Sequence, residues 1–296
     1  MRSRFLRTVC TALTASVMAL TFAGCGSSSG DAKQSSGGDG KVLRVGMECA
    51  YAPFNWTVGK ANEHTLSISN HAGQFADGYD ISFAKRASKE LGVDVKVVAI
   101  EWDNLIPQLN AGQINCIIAG MTDTAERREV IDFTNEYYRS ELVLITSKTV
   151  ADEYASTTVD ETTLGTIFSG NKGVISQIST VTDSCIDTFA SKFGVTHIDP
   201  VDTFATASDK VKSGVAFAMT AEYPVAQAIV KANSSLGIIR INQNILGNEQ
   251  LSELGVSIGV KKGNTDLVTK LNSVLANYTQ EQRNKDMLEA VERSGD

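Results

Sequence analysis

The chain has 296 residues, 42% of them hydrophobic and 21% charged, with a net charge of −7. That length suits two small domains or one large one, and the acidic balance argues against nucleic acid and against an anionic membrane surface as partners. The three His are scattered and the Cys spacings match no metal pattern, so neither metal nor cofactor is expected.

The N-terminus reads as an export signal. Arg2, Arg4 and Arg7 give it a basic start, and residues 9–23 form an apolar core of signal-peptide length, too short to span a bilayer comfortably. Phe22-Ala23-Gly24-Cys25 places small residues before a cysteine and resembles a bacterial lipobox, in which Cys25 is lipidated and becomes the first mature residue. Residues 1–24 are therefore expected to be a lipoprotein signal peptide. Losing them removes three Arg and no acid, which deepens the charge from −7 to −10. Residues 25–40 are read as a tether, since 26–40 holds five Gly and five Ser and no large apolar residue. Such a segment cannot bury enough surface to order itself, and as a flexible coil it would reach about 20 Å.

From residue 42 strands and helices alternate, the pattern of an α/β sheet architecture. Residues 42–47 alternate as a strand, 79–91 carries Phe83, Ala84, Ala87 and Leu91 at helical spacing, and 93–100 is a further strand. The run 102–138 is the most informative of the chain. A helix beginning at Asn104 stops at Gly112, and Cys116-Ile-Ile-Ala follows as a short strand of the kind buried on both faces. Gly120 then lets the backbone turn at the carboxyl end of that strand, where open α/β sheets place their ligands. Thr122 and Arg127, five residues apart across this Gly120-Met121-Thr122 turn, offer a hydroxyl, backbone N–H groups and a guanidinium, a set that suits a carboxylate. The run 126–129, Glu-Arg-Arg-Glu, reads by default as a solvated helix face, and only its distance from the turn sets Arg127 apart. Beyond it lie a strand at 141–146, strands at 173–176, 196–199 and 216–219, and helices at 180–193, 204–213 and 222–232. The last helix carries Leu267, Val268, Leu271, Val274, Leu275 and Tyr278 as an apolar stripe of core residues. Two strand-helix cycles of similar size suggest two lobes.

Three further segments hold candidate site residues. Glu48 and Tyr51 follow the first strand, which Pro53 ends, and rings at a strand end read first as core. Gln177-Ile-Ser179-Thr180, with Asp183, leads from strand to helix and resembles a capping box, whose free N–H groups suit an anion. Glu222 begins the helix at 222–232, where an acid by default helps the dipole. Of the cysteines, Cys116 reads as a small buried hydrophobe. No obligatory disulfide is expected among Cys49, Cys116 and Cys185, with a Cys49–Cys116 contact left open. The insertion 57–76, with His64 and His71, has no role legible in the sequence.

The patterns W-D-x-L-I-P-x-L-x-x-G from Trp102, A-G-M-T-x-T-x-E-R from Ala119 and F-T-x-x-Y-Y from Phe133 resemble the family 3 extracellular solute-binding proteins of polar amino-acid ABC transporters, over roughly residues 42–296. The resemblance implies a two-lobed periplasmic-binding-protein-like (type II) fold with a two-strand hinge. The chain would cross near Glu141 and return near Leu251, so that 41–141 and 252–296 form lobe one and 142–251 forms lobe two. It further implies that Tyr51 and Trp102 sandwich the ligand's aliphatic stem and that Glu48 reads its side chain. Glu222 stands where the family has an aspartate that accepts from the α-ammonium group, and Ser179 where it usually has Gly. The implied function is capture of an amino acid, polar or basic, at the outer face of a bacterial cell membrane or in the periplasm, by a lipid-anchored monomer serving an ABC permease. A cyclohexadienyl dehydratase-like enzyme on the same fold is the alternative class, and cystine the rival ligand.

Overall fold

A computed structural model describes residues 42–247, 250 and 254–294. The signal segment, Cys25, the tether and the expected return near Leu251 lie outside the described residues. Strand β1 (Val42–Met47) leads into the short strands β2 (Ala50–Tyr51), β3 (Asn55–Val58), β4 (Leu66–Ser67) and β5 (Phe75–Asp77), then helix α1 (Tyr79–Leu91). Gly78 precedes α1 with φ at 135°, and a Cβ there would lie 2.1 Å from the Phe54 carbonyl oxygen, so only glycine fits. Next come β6 (Asp94–Ala99), α2 (Leu105–Asn110), β7 (Cys116–Ile117), α3 (Ala125–Val130) and β8 (Ile131–Arg139).

The chain then enters a second sheet through β9 (Leu142–Ser147). There follow α4 (Lys148–Asp152), β10 (Thr158–Val159), α5 (Glu161–Ile167), β11 (Gly173–Ile175) and α6 (Val181–Phe193). β12 (Thr196–His197), α7 (Phe204–Lys212), β13 (Ala218–Glu222), α8 (Tyr223–Ala232) and β14 (Leu236–Ile241) complete this part. Strand β15 (Gly255–Lys261) returns to the first sheet, and α9 (Thr265–Ala276) and α10 (Gln280–Arg293) follow it.

The first sheet has the order β6-β1-β7-β15-β8 and the second β10-β14-β9-β13-β11-β12. The fold is thus α/β and two-lobed, one large sheet to each lobe, with a small third sheet of order β2-β3-β5-β4 beside the first. Ser140 N donates to the Leu254 carbonyl at 3.5 Å, which sets the two crossing segments side by side. Each sheet is apolar on both faces: Val45, Cys116, Ile117, Ile258 and Val260 are fully buried in the first, and Leu142, Leu144, Val174 and Ile239 in the second. Cys49 and Cys116 are buried free thiols. Burial pushes both up to about 12, so they behave as small hydrophobes.

The insertion 57–76 acquires a physical role. β5 pairs with β3 and β4, and the segment after β4 lies along the outer edge of β6. Ser69 N donates to Val97 O at 2.8 Å, while Asn70 donates to Ala99 O and accepts from Ala99 N. The insertion therefore covers an exposed sheet edge. Several sequence expectations need correction. The strand expected at 216–219 is Ala218–Glu222, so Glu222 ends a strand and precedes α8 rather than opening the helix. The final helix is α10, beyond the apolar stripe now seen in α9. Only Met287, Ala290 and Val291 are buried in α10, too few to show as a stripe in so charged a segment. Strands β8, β14 and β15 were not expected at all.

Candidate ligand-binding cleft

The predicted residues converge where the two lobes meet. Lobe one presents the carboxyl ends of β1 and β7. After β7, Gly120 turns with φ at 60°, and a Cβ there would lie 2.7 Å from the Tyr51 ring, so the turn lies flat beneath that ring. The turn is tied to β15, because Ser257 N donates to Met121 O at 2.8 Å. Thr124 caps α3 by accepting from Arg127 N, and the Arg127 side chain folds back so that Nη1 donates to both the carbonyl and the hydroxyl of Thr122. The Arg127 guanidinium also lies 5.3 Å over the Trp102 ring, a cation–π contact.

Lobe two presents the ends of β11 and β13. Thr180 caps α6: its hydroxyl accepts from Asp183 N at 3.1 Å and donates to Gln177 O at 2.7 Å. Asp183 does not complete the capping box; its carboxylate pairs instead with His197 Nε2 at 2.9 Å. Ser179 has φ at 58°, the left-handed region where an L-residue other than Gly costs roughly 1–2 kcal/mol. That conformation is the physical reason a glycine is usual at this place. It also aims the Ser179 carbonyl at lobe one, where it accepts from Arg127 Nη2 at 2.8 Å and from Trp102 Nε1 at 3.2 Å.

Two carboxylates stand where the lobes meet, Glu48 half-buried and Glu222 buried. Glu48 of lobe one accepts from Gln177 Nε2 at 3.1 Å, and Gln177 also donates to Asp202 O at 2.7 Å. Burial pushes the Glu48 carboxyl up to about 7, the Gln177 hydrogen bond holding it down and Asp103 adding to the rise. Glu222 of lobe two accepts from Tyr51 Oη at 2.7 Å. Burial raises its carboxyl too, against the Tyr51 hydrogen bond and one from its own backbone. Their hydrogen-bond partners are neutral, and among the described residues neither is paired with Lys or Arg.

Tyr51, Trp102, Gly120, Thr122, Gln177, Thr180 and Glu222 line one small pocket together with Val181 and Phe204. The space left between them is about 10 Å³, the room a single water needs. Met121 and Arg127 line an outer cleft of about 900 Å³ that shares Trp102, Thr180 and Val181 with the pocket. Glu48 joins the pocket wall only through Gln177. The expected sandwich is modified: Tyr51 lies between Phe54 and Phe204, with both ring centroids at 5.1 Å and interplanar angles of 13° and 25°, so both its faces are covered. Sequence reasoning missed Phe204. The Thr203 cap that starts α7 was the signal available, since it fixes Phe204 as the first helical residue. Among the described residues no group of His, Cys, Asp or Glu could hold a metal ion, and no helix is long and apolar enough to cross a membrane.

The sequence profile of the bacterial extracellular solute-binding proteins, family 3, matches residues 43–290. The L-arginine-binding protein of Pseudomonas aeruginosa is 27% identical over 79% of this chain and 82% of its own length. The lysine/arginine/ornithine-binding periplasmic protein of Escherichia coli is 24% identical over 81% and 84%. The crystal structure of an amino acid ABC transporter substrate-binding protein from Streptococcus pneumoniae, bound to L-arginine, superposes with a TM-score of 0.68 at 21% identity, covering 86% of this chain and 97% of that one. At that identity it supports the fold alone.

Proposed function

The chain belongs to the bacterial extracellular solute-binding proteins, family 3, and from that membership we propose that it captures a basic amino acid between its lobes and delivers it to an ABC transporter permease. One observation carries the choice of ligand. Two carboxylates with neutral partners, the half-buried Glu48 and the buried Glu222, lie with the guanidinium of Arg127 where the lobes meet. An amino acid with a cationic side chain matches that set charge for charge. Its α-carboxylate takes Arg127 and Thr122, its α-ammonium takes Glu222, and its distal cation takes Glu48, with hydrogen bonds to charged groups worth about 1.5–3 kcal/mol each. A micromolar complex needs roughly 8 kcal/mol in all, within reach of three such contacts plus the ring of Trp102 and the edge of Tyr51. The names of the arginine- and lysine-binding relatives support the same ligand class.

Entry of such a ligand requires the pocket to open, because Tyr51 now holds Glu222 and the Ser179 carbonyl holds Arg127. A hinge motion of the lobes, 41–141 with 252–296 against 142–251, releases both contacts and closes again over the ligand. Met121 and Gly120 shape the turn that carries Thr122, and Gln177 and Thr180 form the lobe-two wall. Cys25 anchors the protein, as a monomer, by its lipid to the outer face of the membrane. A thermal-shift screen against the twenty amino acids tests the ligand: at 100 times its dissociation constant a ligand stabilises by about 2.7 kcal/mol. Arginine or lysine should give the largest shift; no shift with either contradicts the assignment.

A second reading draws on the same Glu48, whose carboxyl near 7 would suit a general acid in a dehydratase. Incubation with prephenate or arogenate decides it, and no product is expected.

A further inference from the structure

Behind the cleft lies a buried carboxylate that ligand capture does not use. Asp80, in the first turn of α1, is fully buried. One of its oxygens accepts from Tyr137 Oη at 2.6 Å and the other from Asn55 Nδ2 at 2.7 Å. Each partner then reaches a backbone amide. Tyr137 Oη accepts from Gly120 N at 2.8 Å, and Asn55 Oδ1 accepts from Cys49 N at 2.7 Å. These two amides begin the two lobe-one ligand loops: Gly120 opens the turn that carries Thr122, and Cys49 lies between Glu48 and Tyr51. Both residues stand in the left-handed region, Gly120 at 60° and Cys49 at 58°. For a non-glycine such as Cys49 that conformation persists only where its surroundings over-determine it.

We propose that Asp80 is a positioning residue for the ligand cleft: acting through Tyr137 and Asn55, it fixes the Gly120 and Cys49 amides and so sets both lobe-one ligand loops from one point outside the cleft. The inference rests on the reading of those loops as the ligand-carrying ones. Its physical warrant is the unbroken order of donors and acceptors. Each amide donates into a side chain that in turn donates to the same carboxylate, and charge-assisted chains of this kind fix geometry more firmly than isolated bonds. The carboxylate is kept there against its own burial, which pushes it up to about 7 despite the hydrogen bonds from Tyr137 and Asn55. A side chain there only to fill space would need neither chain of bonds.

The test uses the full chain with Asp80→Ala, Tyr137→Phe and Asn55→Ala, read by amide hydrogen exchange in NMR without ligand and by calorimetry with L-arginine. Tyr137→Phe should speed exchange at Gly120 at least tenfold and leave Cys49 protected, Asn55→Ala should do the reverse, and Asp80→Ala, which removes both acceptor oxygens, should release both; strand β1 amides should stay protected throughout. Loss of anchoring at both loops should raise the dissociation constant in Asp80→Ala by at least about tenfold, the equivalent of one lost hydrogen bond to a charged group. If Asp80→Ala does not fold, the two single-sided variants decide by whether each frees only its own amide. The proposal is overturned if wild type binds and Asp80→Ala keeps both amides protected with affinity within threefold, or if all variants loosen lobe one evenly. A wild type that binds no amino acid would instead overturn the binding reading, and the amide pattern would still decide this one.

Discussion

Replacing Glu222 by Gln takes one negative charge out of the cleft while keeping the side chain's shape. The amide oxygen can still accept the hydrogen bond that Tyr51 Oη gives to Glu222 at 2.7 Å, so the contact between the lobes should survive. What disappears is the charge that holds the ligand's α-ammonium. Glu222 is only 7% exposed, so the lost pair is one made away from bulk water. A hydrogen bond to a charged group contributes about 1.5–3 kcal/mol, and breaking a buried pair costs about 3–5 kcal/mol. A loss of about 2–4 kcal/mol follows, a rise of roughly 30- to 700-fold in the dissociation constant. Calorimetric titration with L-arginine at pH 8 measures it, with circular dichroism to confirm the fold. A rise below threefold in a folded variant would refute the assignment of Glu222 to the ammonium.

Arg127→Ala should cost at least about 2 kcal/mol of binding, because the ligand's carboxylate loses its charged partner; a loss under about threefold, with the fold intact, would return Arg127 to the solvated run of charges. Glu48 should make binding pH-dependent. Burial raises its carboxyl to about 7 in the free protein, and a cationic side chain needs it ionised, so protons compete with the ligand. Affinity for L-arginine should be full above about pH 8 and weaken by up to about tenfold per unit once pH falls below 7. Glu48→Gln should weaken binding at pH 8, flatten that slope and relax the preference for basic over neutral ligands; an unchanged slope and selectivity would show that Glu48 does not read the side chain. Cys25→Ser should move the protein from the membrane fraction into the medium, and unchanged membrane association would rule out the lipid anchor.

The cleft was more legible in the sequence than the fold around it, for reasons visible in particular residues. Gly120, Thr122 and Arg127 act within one turn, so their spacing along the chain already fixes their spacing in space. Helix α1 was read to the residue because its apolar stripe and its flanking glycines agree. Strand β8 shows no clean alternation, because its buried residues Ile131, Thr134 and Tyr137 recur every third position across a register shift against β15. Strand β15 pairs with elements more than a hundred residues earlier, and no local pattern carries that information. The contacts between lobes were hidden for the same reason. Phe204 on Tyr51, the Ser179 carbonyl on Arg127 and Gln177 on Glu48 join residues 52 to 153 positions apart, and each depends on how the two lobes meet.

The central claim is that an amino acid with a cationic side chain binds between the lobes in one orientation. A crystal structure of the complex with L-arginine tests it most directly. It should show the α-carboxylate on Arg127 and Thr122, the α-ammonium on Glu222 in place of the Tyr51 hydroxyl, and the guanidinium at Glu48. A ligand lying reversed, with its carboxylate at lobe two and away from Arg127, or a cleft that stays closed by the Tyr51–Glu222 and Arg127–Ser179 contacts at saturating arginine, would contradict it.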